Sequence, residues 1–223
     1  MAIQTAENKR RFVGSTETKK SYIFTKRCID ILGSIFGLIV TLPLFFLISI
    51  FYMFGDAKGP VFFRQVRIGE NGKKFYIYKF RSMLLNAEER LKADKKLYQK
   101  YLDNNYKLEP EEDPRITSFG RFLRATSLDE IPQLINVLKG EMSLVGPRPV
   151  VEEELKEYGD KESKFLSVKP GVTGFWQVSG RSTVGYPERV DLELYYVYNQ
   201  STIFDLKILF KTIWMVLLKK GAY

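Results

Sequence analysis

The chain has 223 residues, with 35 Lys+Arg against 26 Asp+Glu, a formal charge of +9, no histidine and one cysteine. These counts exclude a Ser-His-Asp triad, a histidine base, a His-ligated metal, an internal disulfide and a Cys-rich zinc site. Carboxylates, Lys/Arg, hydroxyls and hard cations are left to carry chemistry. Hydrophobic residues at 45% and aromatics at 14% are too abundant for a disordered basic tail. The positive excess suits an anionic partner: nucleic acid, an acidic membrane or a phosphorylated substrate.

Residues 1–25 are polar and basic and are expected to be flexible. They lack the apolar core and small-residue cleavage site of a signal peptide. Ile31–Gly55 then carries no charge and is bracketed by Asp30 and Asp56. As a helix rising ~1.5 Å per residue, it is long enough to cross a ~30 Å hydrocarbon core. Pro43 argues against a straight span. It removes one backbone hydrogen bond and clashes with the Ile39 carbonyl, so a kink is expected there. Both flanks are basic, and the positive-inside rule keeps such flanks on one face. The favoured reading is a re-entrant helix-break-helix over 26–56, with Thr41 available to bond a carbonyl one turn back.

Val61–Arg67 and Lys73–Phe80 are rich in β-formers, and Glu70-Asn71-Gly72-Lys73 supplies the turn of a hairpin. Asn86–Glu112 is highly charged, has helical spacing at first and holds no motif, as in a solvated helix and loop. Phe119, Phe122 and Leu123 mark one helix; Ile131, Leu134, Ile135 and Leu138 mark a second, ending at Lys139-Gly140. Ser143–Pro149 and Lys169–Ser182 are Gly/Pro-punctuated loops whose aromatics look exposed. Ser201–Lys220 is apolar but carries Asp205, Lys207, Lys211, Lys219 and Lys220, with Trp214 inside it. It fits a helix lying in the membrane interface, and equally a core helix. The fold class expected is α+β: a helix-rich monotopic membrane protein with a small β-hairpin, interfacial amphipathic helices and a catalytic part over 57–223.

The sharpest local feature is Ser127-Leu128-Asp129-Glu130. Ser127-x-x-Glu130 is a capping-box pattern. The same residues could instead place two carboxylates at a helix N-terminus that attracts phosphate. In that case one carboxylate attacks phosphorus while its neighbour holds a cation. Lys79, Arg81, Arg115, Arg121, Arg124, Pro147-Arg148-Pro149 and Arg181 put base around this acid. Each arginine alone reads equally well as an ordinary surface charge. The loop with Trp176 and Gln177 could line a nucleotide or sugar pocket, or form a structural turn.

The ordered blocks Lys26-Arg27-x-x-Asp30, Gly59-Pro60-Val61-Phe62-Phe63-x-Gln65, Lys79-Phe80-Arg81-Ser82-Met83, Ser127–Glu130, Gly140–Pro149 and Lys169–Gly174 resemble the monotopic phosphoglycosyl transferases, a group of bacterial sugar transferases. The resemblance runs from about Lys26 to Lys220. It implies a re-entrant helix kinked at a Ser-Pro pair, for which this chain has Leu42-Pro43. It implies a ping-pong reaction in which Asp129 attacks the sugar-bearing phosphate of a UDP-sugar, releases UMP, and passes the phosphosugar to polyprenyl phosphate. Glu130, beside Asp129, would bind Mg²⁺. Lys79, Arg124 and Arg148 would hold phosphates or the uridine end, with Arg81, Pro147, Gln177 and Arg181 as further substrate-binding candidates. The long forms carry extra N-terminal membrane helices, so this sequence looks like the minimal catalytic form. Expected partners are the UDP-sugar, polyprenyl phosphate and membrane phospholipids, with no nucleic acid. A homodimer fits a membrane protein of this size. The expected location is the bacterial cytoplasmic membrane, catalytic part on the cytoplasmic face. The competing class is a non-catalytic basic protein that binds anionic lipid.

Overall fold

The computed structural model describes residues 20–104, 108, 112–180 and 184–218. The expected flexible segment therefore lies outside the described residues up to position 19, as does Arg181. Helix α1 runs over Lys20–Phe51 and starts six residues before the expected boundary at 26. Its backbone stays helical through Pro43, where the missing N–H interrupts the hydrogen-bond ladder. Thr41 Oγ1 donates to the Gly37 carbonyl at 2.7 Å, one turn back, as its position suggested. This is helix, proline break, helix.

The hairpin follows. Strand β1 (Phe62–Ile68) pairs antiparallel with β2 (Lys74–Phe80), Val66 opposite Tyr76. Asn71 (φ 56°) and Gly72 (φ 75°) turn the chain through the left-handed region, which Asn and Gly tolerate best. The charged stretch forms two short helices, α2 (Ala87–Ala93) and α3 (Lys95–Asp103). Helix α4 (Ser118–Ala125) is capped by the Thr117 hydroxyl, which accepts from Gly120 N at 2.9 Å. A single 3-10 turn over Leu128–Glu130 leads to α5 (Gln133–Lys139), which ends at Gly140 with φ 80°.

The two Gly/Pro stretches are more regular than the sequence suggested. Strands β3 (Ser143–Val145) and β4 (Gly171–Thr173) pair in parallel. Between them lie a 3-10 run over Glu152–Lys161 and the short helix α6 (Glu162–Phe165). Phe175–Ser179 forms α7, Glu188–Tyr198 forms α8 and Thr202–Leu217 forms α9. Trp176 is buried, not exposed, and its indole N–H faces the Val184 carbonyl at 3.4 Å.

Glycine makes the β3–β4 junction possible. A methyl added to Gly171 would lie 2.1 Å from the Gly146 nitrogen, and one added to Gly174 would lie 2.1 Å from the Gly146 oxygen. Only bare backbones fit at that separation. The glycines of the two sequence blocks are thus one packing contact, and it sets where Pro147-Arg148-Pro149 emerges.

Both ends of α1 are fastened to the same body. At its start, Lys26 Nζ meets Asp205 Oδ2 of α9 and the Val145 carbonyl, each at 2.8 Å. Asp30 accepts from Leu144 N at 2.8 Å and the Ser143 hydroxyl at 2.9 Å. At its end, Ile48 and Tyr52 enter a core cluster with Ala57, Phe80 and Leu123. The other face of α1 is bare. Phe24, Leu32, Phe36, Ile39, Leu42 and Phe46 are each at least 66% exposed. Helix α9 shows a similar split, with Asp205 and Ile208 buried and Ile203, Phe210, Ile213 and Trp214 exposed. Such apolar faces suit contact with lipid.

Candidate active site

Asp129 sits on the 3-10 turn between α4 and α5. Ser127 takes left-handed backbone angles (φ 57°) and its side chain makes no cap bond, so the capping box does not form. Nor does a long helix begin there; the expected helix N-terminus is one 3-10 turn. What remains of the sequence reading is the placement of the carboxylates themselves. Leu128 and Ile131, on either side of the pair, pack into the same cluster as Leu44, Phe45 and Ile48 of α1. This contact anchors the turn and drives Asp129 inward, to 7% exposure.

Burial disfavours the charged carboxyl of Asp129 and pushes its pKa up to about 6. Lys79 and Arg124 pull the other way, and the neighbouring Glu130 carboxylate adds to the rise. Lys79, near the end of β2, bonds Glu130 Oε1 at 2.8 Å. Arg124 is held by the Ser82 hydroxyl, which its Nε meets at 2.9 Å. Helix α4 can approach Ser82 this closely because Gly120 has no side chain; a methyl there would lie 1.9 Å from the Ser82 oxygen. Lys79, Arg124, Asp129 and Glu130 are therefore brought together from three elements.

Other predicted residues are placed differently. Arg81 is 5% exposed and gives its donors to the carbonyls of Pro60 (2.8 Å), Met83 (3.1 Å) and Ala57. It holds the loop after α1. Arg115 is closed on Asp113 through two bonds of 2.7 Å. Gln177 Oε1 is buried with no hydrogen-bond partner among the described residues. Pro147 follows β3, its carbonyl accepting from Gly171 N at 2.8 Å.

Arg148 leads into a network that sequence reasoning missed. Its backbone N–H and Arg189 Nε both reach Glu193 Oε1, at 3.3 and 3.2 Å. The Tyr158 hydroxyl donates to the second oxygen of Glu193. Glu154 bridges Arg67 and Arg189, 3.6 Å to each, and accepts from the Tyr186 hydroxyl at 3.0 Å. Trp176 lies beneath two guanidinium groups, Arg189 at 4.7 Å and Arg148 at 5.8 Å from its ring centre. Burial and the nearby Arg148 push the Arg67 guanidinium down to about 10. Burial opposes the charge of Arg189 too, but Glu193, Tyr158 and Tyr186 outweigh it and raise the pKa. The motif-poor helix α3 also contributes, because Tyr101 lies in reach of Arg115, Arg67 and Arg148. One signal for the network was present: Arg189 and Glu193 stand four apart, the spacing of a helical ion pair.

Among the described residues, no three acidic, histidine or cysteine side chains gather to hold a metal. The adjacent carboxylates of Asp129 and Glu130 still fit the habit of Mg²⁺, which takes one or two carboxylates and completes its shell with phosphate and water.

A buried carboxylate flanked by Lys79, Arg124 and Glu130, in a fold with a long exposed apolar helix, is the arrangement of a membrane-associated protein. The bacterial sugar transferase family matches residues 21–219, and the chain belongs to it. It is 48% identical over 208 residues to the undecaprenyl-phosphate galactose phosphotransferase of Salmonella typhimurium, covering 92% of this chain and 43% of that protein. It is 44% identical over 203 residues to the exopolysaccharide production protein ExoY of Sinorhizobium fredii, covering 89% and 88%. It is 38% identical over 206 residues to the UDP-glucose:undecaprenyl-phosphate glucose-1-phosphate transferase of Klebsiella pneumoniae, covering 89% and 41%. The chain thus spans under half the length of the Salmonella and Klebsiella relatives and nearly all of ExoY. Family membership and the exposed apolar helix place it at the bacterial inner membrane, on the cytoplasmic face.

Proposed function

We propose that the protein moves a sugar-1-phosphate from a UDP-sugar to polyprenyl phosphate through a covalent intermediate on Asp129. This would be the first membrane step in building a capsule, exopolysaccharide or O-antigen. The observation that carries it is the burial of Asp129 between Lys79, Arg124 and Glu130. The names of the Salmonella and Klebsiella relatives, which specify galactose and glucose carried on undecaprenyl phosphate, support the same chemistry.

In the first half-reaction, Asp129 Oδ attacks the phosphorus that bears the sugar. The bond from that phosphorus to the bridging oxygen breaks, and UMP leaves. In the second, an oxygen of polyprenyl phosphate attacks the same phosphorus and the Asp129 carboxylate departs. A carboxylate meeting a diphosphate is repelled by about 4 kcal/mol per like-charge pair at ~4 Å and an effective dielectric of ~20. Lys79, Arg124 and Arg148 would offset that repulsion. A pKa of about 6 leaves Asp129 mostly ionised at neutral pH, yet more basic and more nucleophilic than an ordinary carboxylate. Mg²⁺ held by Asp129 and Glu130 would supply further neutralisation of the diphosphate.

In this reading, 26–56 is a re-entrant membrane segment and 57–223 the catalytic part. Attachment of both ends of α1 to one body supports that topology. Cysteines introduced near Lys20 and near Lys73 should label from the same membrane face; labelling from opposite faces would exclude it. The reaction is tested by UMP release from a panel of UDP-sugars, with detergent-solubilised protein, Mg²⁺ and polyprenyl phosphate, beside Asp129→Asn. Release with one sugar, lost in the variant and without Mg²⁺, is the expected result. Folded protein that releases UMP from no sugar would refute the reading and favour a non-catalytic lipid-binding role.

A further inference from the structure

Strand β2 has a neighbouring strand, β1, on one edge only. Backbone groups on its other edge need partners from elsewhere, because an unpaired buried N–H or C=O is costly. Asn136 of α5 supplies them. Its Oδ1 accepts from Tyr78 N at 3.0 Å, and its Nδ2 donates to the Tyr76 carbonyl at 2.7 Å. The second Nδ2 hydrogen goes to Glu141 Oε2, also at 2.7 Å. One amide thereby takes the place of a residue in a third strand. Asn136 is 0% exposed, so water does not share these bonds. Turning the amide over would set its NH2 group against the Tyr78 N–H and its oxygen against two acceptors. Its partners therefore fix its orientation.

Two different forces hold α5 to β2. Phe75 and Ile77 pack with Val137 and Met142. Apolar packing of that kind supplies energy but is non-directional. The Asn136 bonds are directional and set the register. In a strand, a slip of one residue turns every side chain to the opposite face. The residue after Tyr78 is Lys79, whose Nζ meets Glu130 Oε1 at 2.8 Å. Glu130 in turn is continuous with α5. Leu134 N donates to the Ile131 carbonyl at 3.1 Å and Ile135 N to that of Pro132 at 3.0 Å, so the 3-10 turn runs straight into the helix. Asn136 thus bolts the strand that carries Lys79 to the helix that continues from Asp129-Glu130.

We propose that Asn136 is a positioning residue, locking β2 to α5 in the register that sets Lys79 on Glu130 beside Asp129. It acts through Lys79 and takes no part in bond making. Its effect on turnover rests on the proposed function; its effect on the Lys79–Glu130 pair does not. Val137, the next residue of α5, is equally buried and shares the packing. Its side chain has no polar atom with which to set a register, so it serves as the structural control.

The first measurement needs no substrate. The full chain in detergent micelles is treated with an amine-reactive ester, and acylation of Lys79 is followed by mass spectrometry. The ion pair with Glu130 shields Lys79 in wild type. Asn136→Ala should raise the labelling rate roughly threefold, the range open to a partly exposed ion pair, and so approach Glu130→Gln. Val137→Ala should destabilise the fold and leave labelling at the wild-type rate. If Asn136→Ala folds and labels no faster than wild type or Val137→Ala, the inference is overturned. Should Asn136→Ala fail to fold, Asn136→Asp, which keeps the acceptor for Tyr78 N and loses the donors, decides by the same comparison. Turnover gives the second measurement. In Asn136→Ala, kcat for UMP release should fall roughly tenfold or more, with a smaller change in KM for the UDP-sugar. The double variant with Lys79→Gln should be no slower than Lys79→Gln alone. Losses that simply add would overturn the inference. Wild type that releases no UMP, while labelling follows the expected pattern, defeats the proposed function and leaves the positioning role standing. Wild type that releases UMP, with labelling unmoved in Asn136→Ala, defeats only the positioning role.

Discussion

Two regions of the molecule are built on opposite principles. The side formed by α1, Leu128, Ile131 and Phe80 is apolar, and its aromatic rings pack closely, Phe45 edge-on to Phe80 at 4.8 Å between centroids. The side formed by Arg67, Glu154, Arg189 and Glu193 is charged almost throughout and held by long-range ion pairs. The apolar side raises the energy of a charge placed beside it; the charged side lowers the energy of an anion. Asp129 stands at the border of the apolar side, where burial raises its basicity.

The largest way to break the comparison is to remove the group at the border. Asp129→Asn should lower UMP release by roughly 10⁴-fold or more, as loss of a covalent nucleophile does elsewhere. It should also stabilise the fold. Raising a carboxyl from 3.8 to about 6 means the folded state prefers the protonated form, so stability falls as pH rises through that window. An uncharged Asn avoids that loss, of up to about 3 kcal/mol at pH 7. A thermal midpoint of the variant above wild type at pH 7.5, with no difference near pH 4, is the expected outcome.

A smaller effect should come from the far end of the apolar side. Asp205→Asn leaves the half-buried Lys26 without its carboxylate partner, at a cost of about 3 kcal/mol. Thermal unfolding in detergent should show it, together with weaker protection of α1 from proteolysis. On the charged side, Gly171→Ala forces a methyl against Gly146 and should cost about 2 kcal/mol. Because Gly146 precedes Pro147-Arg148, KM for the UDP-sugar should rise as well.

The smallest effects are in the pH profile of the first half-reaction. The acidic limb should lie near pH 6 in wild type. Glu130→Gln removes a like charge and should move the limb to lower pH. Lys79→Gln removes a favourable charge and should move it to higher pH. A limb that stays put in both variants would mean that Asp129 is not the group titrating.

The apolar side was legible in the sequence and the charged side was not. The uncharged run Ile31–Gly55, Pro43 within it and the hairpin turn at Asn71-Gly72 are local patterns, each readable within one element. The Asp129-Glu130 pair was legible as chemistry but not as geometry, because a left-handed Ser127 replaces the cap that its spacing suggested. Arg67 and Glu154 are 87 positions apart in the sequence and Tyr158 and Glu193 are 35 apart. No periodicity links them, so the sequence reading singled out none of the four. Arg81 shows the converse: its motif was plain, yet burial turned its guanidinium to backbone carbonyls. Trp176 looked like an exposed loop aromatic because nothing local announced the two arginines above it.

The tie between Lys26 and Asp205 joins residues 179 positions apart. A chain leaving the ribosome offers α1 to the bilayer long before α9 has been made. Lipid engagement and completion of the fold are consequently separate events in the life of each molecule, the first early and the second last. Translation cut short before α9 would leave an anchored chain whose Lys26 has no counter-ion. Helix α9 thus brings the partner of Lys26 only after α1 has had time to lodge in the membrane.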